Sequence, residues 1–274
     1  FGRFETSDYH TAFEIIREKF GAISREYGKD SVGILVSPEL SNEELYVASQ
    51  IALNGFETDN FGSLSIISSE TDANILDKSF GFTASTASRK ILKDCDLIIC
   101  DNTDLERDNL ILSIAIMDAL QNPDTKLIVC SSANNSLSKV ANLILDPIRG
   151  RSSLFWNSII QILLDNGFFN REQILSIEGG KEFLEDSYDY KAENLEYITG
   201  VEKEKVLKSA EMLSKAKRIA FIHSLDRVND KSSGIITTIA NIMMLLKTKN
   251  ILADILLPTS FTNFTGLNAV NISS

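Results

Sequence analysis

Short apolar runs rich in β-branched residues alternate with amphipathic segments of about 10–16 residues, and this alternation constrains the fold more than any other feature of the chain. The plainest run is Asp96-Leu97-Ile98-Ile99-Cys100, which ends in the polar loop Asp101-Asn102-Thr103 and feeds a helix. Leu127–Cys130, Ile219–His223 and Ile251–Leu256 have the same character. Strands that are apolar at successive positions are buried on both faces, and strands separated by helices return parallel. We therefore expect an α/β fold with mostly parallel sheets flanked by helices. In such sheets ligands sit just outside the carboxyl ends of the strands, so a binding site is expected at the loop after Cys100.

Element boundaries follow from capping chemistry. Ser7 is the expected cap of a helix from about Asp8 to Arg25, with Phe13, Ile16 and Phe20 at helical spacing. Residues 30–36 read as a strand, and Ser41 with Glu44 forms a capping box that opens a helix to about Asn54. Residues 64–67 read as a short strand or loop, and residues 85–93 as a helix. Thr103 with Glu106, and Thr199 with Glu202, form two further capping boxes, opening helices that run to about Gln121 and Ala216. Between them we expect a helix at 136–142, a strand at 143–145, a helix at 152–166 and acidic helices from Asn170, Gly180 and about Lys191. Residues 232–247 read as a buried helix and 257–274 as a loop or tail.

With 274 residues and 43% hydrophobic content, the chain has core material for two medium domains or one large one. A net charge of −11 with no offsetting basic patch argues against a nucleic-acid partner. No apolar run approaches the roughly 18 residues of a membrane-spanning helix, so no membrane insertion is expected. The chain begins at Phe1 and stops in the polar Asn271-Ile272-Ser273-Ser274, which reads as a segment of a larger protein. Three cysteines (Cys95, Cys100, Cys130) lie in or beside apolar runs, and His10 and His223 are far apart. Iron–sulfur clusters and structural zinc take about four ligands, so no metal site is expected, and the cysteines read as small hydrophobes in a reducing, cytoplasmic compartment.

Phosphate sites at strand ends use glycines that let backbone N–H groups approach the ligand. The strand ends Val36-Ser37-Pro38-Glu39, Cys100-Asp101-Asn102-Thr103, Cys130-Ser131-Ser132-Ala133 and His223-Ser224-Leu225-Asp226 contain none. A pyrophosphate about 4 Å from Asp101 would meet repulsion on the order of 4 kcal/mol per charge pair. Thr103 is explained as a helix cap, Asp101 and Asn102 as turn formers, Ser131 and Ser132 as loop residues, and His223 as a satisfied, half-buried histidine. The acidic stretch from Glu172 to Glu204 reads as a solvated face, or as a docking surface for a basic partner.

Gly2-Arg3-Phe4, Tyr27-Gly28-Lys29-Asp30-Ser31, Ser41-Asn42-Glu43-Glu44, Asn166-Gly167-Phe168, Glu178-Gly179, Tyr197-Ile198-Thr199-Gly200-Val201, Ala240-Asn241 and Asn263 to Gly266 occur in a familiar order. In that order the chain resembles the central part of the molybdopterin oxidoreductase superfamily. That superfamily includes formate dehydrogenase catalytic subunits and the large iron–sulfur subunit of NADH–quinone oxidoreductase. The resemblance implies pterin-contacting positions at Asp101, Asn102, Thr103, Ser131, Ser132, Gly150 and Ser152. These depart from the family's patterns: Asp101-Asn102-Thr103 stands for G-S-N, Ser131-Ser132-Ala133 for D-P-R, and Arg149-Gly150-Arg151-Ser152 for P-G-T-D. The region supplying a thiol or selenol to molybdenum reads Phe61-Gly62-Ser63-Leu64-Ser65, with Ser65 approximately at the ligand position.

The resemblance implies two Rossmann-like αβα domains, one inserted in the other. Residues 1–60 with 218–274 would form a discontinuous domain, residues 61–217 the insert, and Val32–Val36 would share a sheet with Ile219–His223. The expected function is that of a segment of a molybdopterin-oxidoreductase-like redox subunit that has lost its pterin site. It would act as scaffold and docking part of an electron-transfer complex, of NADH dehydrogenase or formate dehydrogenase type. Its partners would be other subunits or domains of that complex. The segment would carry no catalytic residue and no cofactor of its own, with molybdopterin guanine dinucleotide or iron–sulfur clusters belonging to the parent protein. Two alternatives are an active fragment of a molybdopterin-dependent oxidoreductase and a stand-alone module for a small polar ligand.

Overall fold

The computed structural model describes residues 4–63, 75–81, 84–101, 103–130, 136–148, 150–187, 195–224, 234–259 and 262–269. Two compact units form, one from Phe1–Ile67 with Phe261–Ser274 and one from Ser68–Ser260.

The larger unit is built on a five-stranded parallel sheet ordered β5-β4-β3-β6-β7. Its strands are β3 (Leu97–Asp101), β4 (Lys126–Cys130), β5 (Leu143–Leu145), β6 (Arg218–His223) and β7 (Leu252–Leu256). Every residue of β3 is buried, as continuous apolar strands between two helical layers must be. On one face Ile98, Cys100, Leu127, Val129, Ala220 and Ile222 pack into a single core cluster. That cluster is closed by Leu112 and Ile116 of a helix at Leu110–Ala119, Leu137 of a helix at Ser136–Val140, and Leu92 of a 3₁₀ turn at Arg89–Asp94. The opposite face receives the helix Ser152–Asp165, whose Phe155 and Trp156 are fully buried. Trp156 packs edge-on against Phe221 of β6, with ring centroids 6.0 Å apart. The amino ends are tied by Asp96, whose carboxylate accepts from the backbone N–H groups of Lys217 and Arg218, both at 2.8 Å.

The smaller unit holds a two-stranded parallel sheet, β1 (Ile34–Leu35) with β2 (Phe61–Gly62). Around it lie the helices α1 (Tyr9–Tyr27) and α2 (Asn42–Gln50). Its core is small, formed by Leu45, Ala52, Phe61 and Leu267. The Ser41–Glu44 capping box is complete, with both reciprocal hydrogen bonds present.

Strands 3 to 7 and most helices fall where the sequence puts them, and the differences have local causes. Asp8 rather than Ser7 caps α1, its carboxylate accepting from the N–H of Thr11 at 2.8 Å. The strand expected over 30–36 shrinks to two residues, because Lys29–Ser31 turns as a 3₁₀ element. The segment 85–93 forms only the 3₁₀ turn. No Thr103–Glu106 box forms: Asn109, with φ −156°, breaks the helix, and its side chain caps the next one through the N–H of Leu112. Thr199 instead ends a helix at Leu195–Thr199, its hydroxyl donating to the Leu195 carbonyl. The tail contains a helix at Phe264–Ala269, anchored where Asn263 donates to the carbonyl of Leu40 at 2.7 Å. Residues 64–67 lie outside the described residues.

The larger correction concerns sheet membership. Ile219–His223 does not share a sheet with Val32–Val36; β6 pairs with β3 along its whole length, from Leu97↔Ile219 to Asp101↔His223. Residues 218–256 thus belong to the same sheet as β3 to β5 rather than to the amino-terminal unit. Mostly apolar strands such as β3 and β6 are covered on both faces and paired on both edges, β3 between β4 and β6 and β6 between β3 and β7, whereas β1, with Leu35 exposed, is an edge.

Candidate functional site

From β3 the chain steps outward to β4 and β5 on one side, then returns to place β6 and β7 on the other. The switch point is the gap between the carboxyl ends of β3 and β6, where a doubly wound sheet opens a crevice. The residues ending those strands are Asp101 and His223, direct register partners. Side chains alternate along a strand, so partners in register project to the same face, toward the Ser152–Asp165 helix.

There they meet. His223 Nδ1 lies 3.0 Å from Asp101 Oδ2, and Trp156 Nε1 donates to Asp101 Oδ1 at 3.3 Å. Asp101 is 1% exposed and His223 4%. An ionised carboxylate only accepts hydrogen bonds, so in this pairing the nitrogen that faces it, Nδ1, is the donor. Chemically, the group is an imidazole held in one orientation by a carboxylate that an indole N–H fixes in turn.

The three thiols add no chemistry here. All are buried and free. Burial first, then the charge of Asp101, pushes Cys100 up to about 12, with a Thr103 hydrogen bond acting weakly the other way. Burial likewise raises Cys130 well above the ordinary thiol value and Cys95 to about 11. Among the described residues no group of three or more metal-ligating side chains exists.

The positions singled out from sequence scatter in role. Asp101 and Thr103 are buried at the switch point. Ser152 is the buried first residue of the Ser152–Asp165 helix, and Gly150 occupies an exposed turn with φ +83°. Asn102, Ser131, Ser132 and Ser65 lie outside the described residues. Arg151 is spent on structure, its guanidinium donating to the carbonyls of Tyr197 and Ile198, both at 3.1 Å. The repulsion argued for Asp101 changes, since its carboxylate faces His223 and Trp156 inside the fold rather than a ligand outside it. Sequence reasoning missed Trp156 and underrated His223, which lie 55 and 122 residues from Asp101. The one available signal was that both apolar strands end in a titratable residue.

A family model described as molybdopterin oxidoreductase matches residues 1–150. The chain belongs to the molybdopterin oxidoreductase family. It is 26% identical, over 91% of its length, to 25% of a putative formate dehydrogenase of Bacillus subtilis. It is 27% identical, over 81% of its length, to 32% of the F420-dependent formate dehydrogenase subunit alpha of Methanocaldococcus jannaschii. The chain thus spans a quarter to a third of the curated relatives it matches. Among solved structures, acetylene hydratase from Pelobacter acetylenicus superposes with a TM-score of 0.74 at 18% identity, over 96% of this chain and 34% of that one. The likeness shows that this chain shares its fold with about a third of that protein.

Family membership implies a pterin cofactor, and the switch-point residues test the fit. A dianionic pyrophosphate needs close backbone N–H groups or arginine forks. The described residues ending β3 and β6 offer instead a buried carboxylate whose two oxygens are already engaged, and an imidazole turned toward it. These residues do not suit the pterin's pyrophosphate.

Proposed function

We propose that this chain is a cofactor-less segment of a molybdopterin-oxidoreductase-like redox subunit, serving as scaffold and docking part of an electron-transfer complex. The observation that carries this reading is the Trp156–Asp101–His223 cluster, which occupies the sheet's switch point with side chains that satisfy one another. A resident dianion would leave the Asp101 charge uncompensated or displace His223 from it, at a cost of a few kcal/mol for a buried pair. The partners would be other subunits or domains of the parent oxidoreductase, in keeping with relatives that are named as subunits of formate dehydrogenase and of an NADPH-Fe(3+) oxidoreductase. We place the complex in the cytoplasm, in keeping with three free thiols; no helix of the described residues is long and apolar enough to cross a membrane.

Elemental analysis of the purified protein for molybdenum and tungsten, with fluorescence of the extracted pterin, tests the reading. We expect neither above background; a stoichiometric metal–pterin complex would overturn it. The second reading, an active fragment of a formate-oxidising enzyme, is favoured by the identity to formate dehydrogenases. It requires dye-linked formate oxidation by the longer protein, abolished by substitution of Ser65.

A further inference from the structure

A second feature at the carboxyl edge of the large sheet is absorbed by neither reading. Residues 85–88 run along the end of β7 and are pinned to it. The Leu257 N–H donates to Ser85 Oγ at 2.9 Å, and the Thr86 N–H donates to the Ile255 carbonyl at 3.0 Å. Thr86 Oγ1 accepts from the Ile255 N–H at 2.9 Å and donates to Asp254 Oδ1 at 3.0 Å. This fixed segment forms one wall of a cavity of about 380 Å³. Its floor is apolar, from Leu112, Leu256, Leu257 and Pro258, while Ser88, Arg89, Lys90 and Asn109 supply the polar groups. Among the described residues no carboxylate lines it, in a chain whose net charge is −11. Asp254, bonded to Thr86, also faces Arg218, whose Nη2 lies 3.7 Å from Asp254 Oδ2.

We propose that this cavity binds a small organic oxyanion, a phosphate monoester or a carboxylate with an apolar body. The apolar body rests on the leucine floor, and the anionic head meets Arg89 and Lys90 at the rim. The volume lies within the roughly 300–1,000 Å³ of small-ligand sites, and an apolar floor with few convergent polar groups is their usual composition. A wall held by four hydrogen bonds is in place before the ligand arrives, which lowers the ordering cost of binding. Arg89 supplies a planar fork for two oxygens and Lys90 a point charge. The inference does not depend on whether a pterin is retained, since it uses none of the switch-point residues.

Isothermal titration of the 274-residue chain with phenyl phosphate, inorganic phosphate and phenol reads the proposal directly. One saturable site for phenyl phosphate is expected, with inorganic phosphate weaker for want of the floor contact and phenol weaker for want of charge. The double variant Arg89→Gln/Lys90→Gln should lose at least about tenfold in affinity, the effect of one lost charge-assisted hydrogen bond. Both side chains are exposed, so the variant keeps the fold. Lys203→Gln/Lys208→Gln removes the same charge from the helix Lys203–Lys215 and should bind as the parent does. Absence of saturable binding by the parent, or equal losses in the two double variants, overturns the proposal. Pterin content, measured separately, reports on the functional reading alone.

Discussion

Asp101 and His223 form a buried hydrogen-bonded pair, and a buried polar group left without its partner is costly. Truncating Asp101→Ala leaves the His223 ring and the Trp156 N–H unsatisfied and should destabilise the chain by about 1–3 kcal/mol per orphaned group in denaturant titration. Replacing both members, Asp101→Leu with His223→Leu, should cost less than the single change, since no orphaned polar partner of the pair remains. Trp156 is the sole tryptophan, so its emission reports the loss of the carboxylate contact in the same experiment. The thiols give a pH signature. Folding raises Cys95 to about 11 and Cys100 to about 12 from an ordinary 9.0, so the folded state holds these protons more tightly. Their contribution to stability is therefore full below pH 9 and falls as pH rises toward about 12, which urea midpoints measured across that range should show.

Among the elements, caps written in local sequence behave as local chemistry. The Ser41 box needs only residues 41–44, and Ser41→Ala should cost about 1 kcal/mol in thermal or chemical unfolding of the amino-terminal unit. Boxes that depended on a wider setting did not form. Thr103 is drawn into the interior beside Cys100, and Asn109 takes over as cap six residues later. Thr199 matched the cap pattern equally well, yet it closes one helix rather than opening the next. A Ser/Thr–Glu spacing specifies what a side chain can do, while tertiary burial selects which of several such residues does it.

For the molecule as a whole, stability should divide unevenly between the units. The central strands β3 and β6 are paired on both sides and almost wholly buried, whereas β1 and β2 pair over two residues only. Native-state hydrogen exchange should find the slowest amides in β3 and β6 and much faster exchange in β1 and β2. Comparable protection in β1 would show that the smaller unit is supported by more than its own four-residue core.

The sequence by itself determined the α/β class, the positions of the large-sheet strands and the burial of all three cysteines, because continuous apolar runs admit few other outcomes. It also carried enough of the family pattern to mark the carboxyl edge as the place to look. Only the tertiary structure decided which strands are neighbours, since β3 and β6 are equally apolar and nothing in either encodes its partner. That pairing in turn decided the site. Asp101 reads as a turn former until register sets His223 beside it and the opposite helical layer sets Trp156 above it. Contacts across 55 and 122 residues are set by the closing of the sheet, and no local pattern announces them.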